Sequence, residues 1–336
     1  MKPFWALRVH APDGDKKAEP YATLQQVTLD ELTPGEVVVE VHYSSVNYKD
    51  ALGATGRGRI FKKFPLNAGI DAAGLVLQSS DGRFTPGQKV LVTGCGIGES
   101  DDGGYAEVLR VKAESLVPLP ADLTLRQSMI LGTAGFTAAL AFHRMLENHQ
   151  NPSLGPILVT GASGGVGSFA VQLFAQQGYE VIAVSGKHEA IKYLTRMGAK
   201  KVIAPSELSL GDRPLEKVKF GGVIDNVGGK LLSQAISHTQ LWGNVCCIGL
   251  ADTQDLHTTV MPMILRGVSL LGVSSNNCTR ELRHSLWQKL AGPWRPKFLD
   301  ETSTRTVDLK ELMLACDDLI HRRVHGRILV EIRKDL

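Results

Sequence analysis

The chain has 336 residues, of which 43% are hydrophobic and 21% charged; these are values of a globular protein long enough for about two domains, and they exclude a disordered, collagenous or coiled-coil chain. Lysine and arginine total 37 against 34 aspartates and glutamates, a formal net charge of +3, too small for a broad nucleic-acid or membrane-surface footprint. Apolar runs such as Val37 to Val41 fall far short of the ~20 residues that span a bilayer. The first ten residues, interrupted by Pro3, Arg8 and His10, predict no signal peptide. Five scattered cysteines (Cys95, Cys246, Cys247, Cys278, Cys316) contain no Cys-x-x-Cys pair. They predict small buried side chains in a reducing cytoplasm rather than a disulfide scaffold or structural zinc site.

The first 125 residues predict short strands with turn punctuation. Val37-Val38-Val39-Glu40-Val41 follows Pro34-Gly35, and Gln88-Lys89-Val90-Leu91-Val92 follows Pro86-Gly87; frequent glycines between Gly53 and Gly104 fit a curled β domain. From about Arg126 the spacing becomes helical. The strand Ile157-Leu158-Val159-Thr160 is next, then a glycine cluster and an apolar helix from Phe169 to Gln177. Strand-like Val181 to Val184, a helix from Glu189 to Met197, and strands at Lys201 to Ala204, Gly222 to Asp225 and Val245 to Gly249 continue the series. Such alternation predicts a doubly wound parallel sheet. A helix from Leu309 to Leu319 and a strand from Arg327 to Glu331 lie outside it, and the closing strand is expected to return to the first domain.

Thr160-Gly161-Ala162-Ser163-Gly164-Gly165-Val166-Gly167 joins a strand to a helix and is a variant of the dinucleotide fingerprint. Ala162 stands in the first glycine position, with Gly164 and Gly167 in the other two. Small residues there permit a tight turn and close approach of backbone N–H groups, from Ser163 through Gly164 and Gly165 to Val166, to a pyrophosphate. An NAD site places a carboxylate at the end of the second strand. Here that strand ends in Ser185-Gly186-Lys187, which can donate to and neutralise a phosphate, with Lys200 and Lys201 opening the next strand. The reading is NADPH.

These residues, with the run Gly132-Thr133-Ala134-Gly135-Phe136-Thr137-Ala138, resemble the medium-chain dehydrogenase/reductase superfamily. Ser44-Ser45-Val46-Asn47-Tyr48-Lys49-Asp50-Ala51-Leu52, Pro65-Leu66-Asn67-Ala68-Gly69-Ile70-Asp71, Arg213 to Lys217 and Thr259 to Arg266 resemble its zinc-free acrylyl-CoA reductase branch. The resemblance covers essentially the whole chain. It implies an α/β protein with a discontinuous GroES-like catalytic domain at 1–127 and 280–336 and a Rossmann NADP-binding domain at 128–279. A cleft between them and a homodimer are also implied. Tyr48, Thr137, Asn226, Leu250 and Ser274 are the further cofactor contacts that it suggests.

Zinc-dependent members carry an early ligand cysteine, a His-Glu pair about 20 residues on and often a four-cysteine lobe. This chain offers Asn47, Tyr48 and Asp50 instead, no cysteine before Cys95, and a single cysteine between Cys95 and Gly104. No catalytic zinc is predicted, and without a Lewis acid the chemistry left is hydride addition to an electron-poor acceptor. The β-carbon of an unsaturated thioester such as acrylyl-CoA is the preferred acceptor, and a quinone or small enone the alternative. A nucleotide-binding protein with little turnover is the more remote reading. In either reduction an oxyanion develops that needs hydrogen-bond donors. Asn47 and Tyr48 are assigned that contact with Asp50 orienting them, against the plainer possibility that Asn47 only caps a turn. Arg57, Arg59, Lys62 and Lys63 form a basic cluster suited to CoA phosphates or simply a solvated loop. Two stretches depart from the branch: Glu99-Ser100-Asp101-Asp102 is more acidic, which would repel CoA at a substrate mouth, and Ser275-Asn276-Asn277-Cys278 is less apolar.

Overall fold

The computed structural model describes residues 2–11 and 19–333. Two compact units divide the chain: Met1–Thr133 with Asn276–Gly292 and Leu299–Leu336, and Ala134–Ser275 with Pro293–Phe298.

In the first unit, the valine-rich run becomes the central strand Val37–Val46. Successive side chains point to opposite faces of a strand, so Val37, Val39 and Val41 pack with Val76, Val90, Val92 and Leu109. Val38 faces the other way, toward Phe4, Ala6 and Val27. The β-branched residues thus have a core on both sides, which suits them to a central strand. The main sheet runs Ser303–Val307, Arg327–Glu331, Val37–Val46, Asp71–Ser79, Lys89–Thr93 and Val117–Pro118, with Val108–Val111 also paired to Val37–Val46. The strand Arg327–Glu331 returns to pair antiparallel with Val37–Val46, Ile328 opposite Val46. A three-stranded sheet of Tyr21–Val27, Phe4–His10 and Leu66–Asn67 completes the unit. The helix Tyr48–Ala54 follows directly on the central strand.

The second unit is a six-stranded sheet, parallel throughout. In space the strands are Lys201–Ile203, Val181–Val184, Ile157–Val159, Phe220–Asp225, Thr239–Cys247 and Ser269–Gly272. Numbered along the chain this is order 3-2-1-4-5-6, the dinucleotide-binding arrangement, which puts the carboxyl ends of the strands and their loops on one edge.

The observed division differs from the expected boundaries at 127/128 and 279/280. The helix Leu125–Glu147 carries a non-helical break at Gly132 (φ 50°, ψ −156°), and the units separate one residue later, between Thr133 and Ala134. Apolar spacing continues through the break, so composition alone points to one helix beginning in one domain. Pro293–Phe298 joins the second unit because Trp294 packs edge-on against Phe142, 5.0 Å between centroids, and Gln172 Oε1 accepts the Phe298 N–H at 3.0 Å. Leu125–Glu147 is also the one helix among the described residues long and apolar enough to cross a membrane. It is 78% buried over its most apolar stretch, as core helices are.

Candidate active site

In the second unit, Gly161 takes a left-handed conformation (φ +56°), and its carbonyl accepts the Gly164 N–H at 3.0 Å, closing a turn. Helix Gly165–Gln176 starts there with Gly164 as its N-cap. The first i→i−4 donor is Ser168, to Gly164 O at 2.9 Å, so the N–H groups of Gly165, Val166 and Gly167 precede the helical ladder and suit an anion. A Cβ on Gly167 would lie 2.5 Å from Gly161 O and 2.6 Å from Ala162 Cα. Only glycine lets the helix sit this close to the loop, the packing that a dinucleotide cradle requires.

The adjoining tip is already built. Ser185 Oγ donates to Ser163 Oγ at 2.9 Å and accepts the Lys187 N–H at 3.2 Å, while Ala162 N–H donates to Val184 O. Ser163, Ser185 and Lys187 are therefore brought together beside Gly186, with no carboxylate on the 185–187 tip. On the neighbouring strand Asp225 is buried, accepting Thr160 Oγ1 at 2.6 Å and the Gly228 N–H at 2.7 Å. Burial pushes its carboxyl above the usual range, opposed by these bonds. Asn226 donates its side-chain amide to Thr160 O at 2.8 Å, tying the fourth strand to the end of the first. Leu250 and Ser274 follow the fifth and sixth strands, on the same carboxyl edge. Thr137 is buried on the helix after its break.

Lys201 is not brought to this tip. It opens its strand and pairs with Ile182, three residues before Ser185, or about 10 Å along the strand. In a parallel sheet the residue that opens a strand lies toward the edge opposite the loops, and the expected phosphate contact is corrected accordingly.

In the first unit, Asn47 is the N-cap of Tyr48–Ala54, and its backbone N–H donates to Asp50 Oδ2 at 3.0 Å. Its side-chain amide is fully engaged: Nδ2 donates to Asp50 Oδ2 (3.1 Å) and Asp71 Oδ2 (2.8 Å), and Oδ1 accepts from Arg327 Nη1 (3.1 Å). Asn47 thus both caps the helix and holds a buried network, and its amide is not presented to a substrate as expected from the sequence. Asp71 also accepts Ser45 Oγ at 2.6 Å, Thr133 Oγ1 at 2.6 Å and the Thr133 N–H at 2.9 Å. Arg327 donates further to Val46 O, Ser45 Oγ and Ile130 O and lies 3.8 Å from Asp71. A Cβ on Gly132 would meet Asp71 Oδ2 at 2.5 Å, so the helix break is shaped around this cluster.

Asp50 is buried, and its pKa is pushed up to about 7, first by burial and then by the charge of Asp71, against the hydrogen bonds from Asn47 and Ile70. Tyr105, buried against Asp50, is held well above its ordinary value by burial and donates to Ser45 O at 3.2 Å. Arg327 balances one carboxylate, and Asp50 is the member that holds a proton near neutrality. Tyr48, 40% exposed, carries the exposed hydroxyl of this motif. Ser45, Asp71, Tyr105, Thr133, Arg327, Thr160 and Asp225 were all missed as site residues. The available signal was an aspartate embedded in apolar sequence, at Asp71 and again at Asp225.

Arg57, Arg59, Lys62 and Lys63 are exposed on the loop after Tyr48–Ala54; Arg57 approaches His321 Nε2 at 3.4 Å and Lys63 bonds Thr33 Oγ1 at 3.3 Å. The acidic stretch is not free negative charge. Asp102 is buried, accepting the Thr33 and Asn67 N–H groups; Asp101 pairs with Lys112 and Glu99 with Lys49. The expected repulsion of CoA is corrected on that ground. Among the described residues no group of three or more His, Cys, Asp or Glu side chains could hold a metal ion.

Comparison with known proteins finds a family match in each part of the chain. Residues 33–121 match the alcohol dehydrogenase GroES-like domain, and residues 165–292 the zinc-binding dehydrogenase family. The chain is 41% identical over 330 residues to the acrylyl-CoA reductase AcuI of Ruegeria pomeroyi, covering 98% of this chain and 99% of that protein. Among solved structures, E. coli K-12 YhdH with bound NADPH is similar at 43% identity and TM-score 0.93, over 98% of this chain and all of that one. Bacillus subtilis YhfP with NAD bound is similar at 38% identity and TM-score 0.94, over 99% of this chain and all of that one.

Proposed function

The chain belongs to the zinc-free acrylyl-CoA reductase branch of the medium-chain dehydrogenase/reductase superfamily, and we propose that it reduces the C=C bond of acrylyl-CoA to propionyl-CoA with NADPH. The observation that carries this is the pre-formed Ser163–Ser185–Lys187 tip beside a glycine cradle, in a chain aligned end to end with an acrylyl-CoA reductase.

Gly164, Gly165 and Val166 would hold the pyrophosphate through backbone N–H groups, and Ser163, Ser185 and Lys187 the ribose phosphate. Asn226, Leu250, Ser274 and Thr137 would line the rest of the dinucleotide. When bound, NADPH would supply the hydride that the β-carbon accepts, and a proton from solvent would complete the α-carbon. Tyr48 donates its hydroxyl to the thioester oxygen as negative charge develops there. Asn47 and Asp50 orient the helix that carries Tyr48 and do not contact the substrate. Arg57, Arg59, Lys62 and Lys63 offer mobile cations to the CoA phosphates.

The reading is of a cytoplasmic homodimer acting on a small molecule, with no nucleic-acid or membrane partner. The open edge strand Ser269–Gly272, beside exposed Trp242 (68%) and Ile264 (72%), supports pairing with a second copy; a solution mass of 36.3 kDa, that of one chain, would refute it.

The test is the initial rate of NADPH oxidation with acrylyl-CoA against 1,4-benzoquinone, with NADH as control. A large preference for the thioester and for NADPH is expected. Turnover of the quinone alone would overturn the assignment in favour of a quinone reductase.

A further inference from the structure

The two stretches that depart from the branch meet at a single carboxylate. Glu99 Oε1 lies 2.9 Å from Lys49 Nζ, on the helix turn that begins at Tyr48. Its other oxygen accepts the Asn276 side-chain amide at 2.9 Å, and Asn276 Oδ1 in turn accepts the Gly96 N–H at 3.3 Å. Glu99 O accepts the Lys62 N–H at 2.8 Å. Arg283, buried, reaches Asn276 O at 3.4 Å and Thr93 O at 2.7 Å. Glu99 therefore fastens the start of the Tyr48 helix to the end of the basic loop, and Asn276 fixes the carboxylate from behind. Its side chain is only 13% exposed where that of Lys49 is 37% exposed, so the pair stays in register while the lysine fronts solvent. The loop that Glu99 binds through Lys62 N–H also carries Arg57, Arg59 and Lys63.

We propose that Glu99 is a specificity-determining residue: by neutralising Lys49 beside the basic loop, it sets how strongly the site prefers a polyanionic acyl-CoA over an uncharged acceptor. This rests on the reading that CoA phosphates lie against that loop. An acyl-CoA brings several negative charges, each interacting weakly across water with an added unit of positive charge. Summed at separations of about 8 to 10 Å, this amounts to roughly a fivefold change in affinity at low ionic strength. It fades once the screening length falls below that separation.

Glu99→Gln keeps the shape and an oxygen acceptor for Asn276 while removing the charge. With saturating NADPH, the variant's KM for acrylyl-CoA should fall about fivefold at low salt and approach that of the parent at high salt, with kcat and the KM for 1,4-benzoquinone unmoved. Lys49→Met in the parent should act oppositely, raising the acyl-CoA KM several-fold, and combined with Glu99→Gln it should cancel the gain. A thioester KM that does not respond, or a parallel shift for both acceptors, overturns the proposal. Calorimetric binding of propionyl-CoA separates it from the assignment of the reaction. If acrylyl-CoA is not turned over but Glu99→Gln still tightens propionyl-CoA, the reaction was misassigned and the role of Glu99 stands. An unchanged propionyl-CoA affinity sinks that role whatever the turnover.

Discussion

Asp50 titrates in the folded protein near pH 7, against an ordinary value of 3.8, and this has a measurable consequence for stability. Between about pH 4 and 7 the unfolded chain has ionised this carboxyl while the folded chain still holds its proton. Folding then takes up a proton, and stability falls as pH rises, by about 1.4 kcal/mol per unit. The contribution is fully present below the unfolded value and gone above the folded one, a total of about 4 kcal/mol over the roughly three units between them. The charged groups facing Asp50 are Asp71 and Arg327 in its own network, with the hydroxyl of Tyr105 and the thiol of Cys316 alongside. Other groups titrate in the same window. Asp225, also raised by burial, adds in the same sense, while His238 and His284, lowered by burial, act in the opposite sense. The difference between the parent and Asp50→Asn isolates the one site. Asparagine turns an amide NH₂ toward donors that now meet Asp50, the Asn47 and Ile70 N–H groups, at a pH-independent cost of about 1 to 3 kcal/mol. By urea unfolding, the variant should be the less stable protein at pH 4.5. It should gain about 3 kcal/mol relative to the parent by pH 8, drawing level with it or passing it. A difference that stays constant across that range would refute a buried, proton-holding Asp50.

Lys187→Ala should raise the KM for NADPH about tenfold, the loss of one partly exposed charge-assisted contact, and leave the KM for NADH unmoved. Lys201→Ala, at the other end of its strand, should change neither, and equal effects on the two cofactors would remove Lys187 from the phosphate site. Gly167→Ala sets a methyl against backbone atoms of Gly161 and Ala162 that cannot step aside. It should weaken NADPH binding in a fluorescence titration and lower stability by about 1 to 3 kcal/mol; native affinity would show that the loop is looser than its contacts imply.

The parallel sheet and the cofactor tip were legible because both are local. Strands such as Ile157–Val159 and Val181–Val184 are short apolar runs between helices, and Ser185-Gly186-Lys187 lies where the chain turns at the end of one of them. The closing strand Arg327–Glu331 stood out for the same reason, as an apolar run outside the alternation. Lys201 was misplaced despite that locality, since a residue that opens a parallel strand lies toward the edge away from the loops. Its position in the sequence already said so.

The polar interior of the first unit was less legible, because its partners are far apart in the chain. Asn47 could be read as a cap or as a donor; its amide became structural only when Arg327, 280 residues later, reached its oxygen. The acidic residues at 99 to 102 looked like an exposed charged loop because Lys49, Lys112 and Thr33 are 50, 11 and 69 positions away. Charge in a sequence says that a residue needs water or a partner, not which of the two it finds. The same fact explains why the departures at Glu99 and Asn276, unrelated as letters, are one hydrogen bond in space. A second chain of this branch without a carboxylate at 99 should therefore have little use for an asparagine at 276. Substituting either position alone should disturb the other, and replacing both with apolar side chains should cost less stability than the two single changes added together.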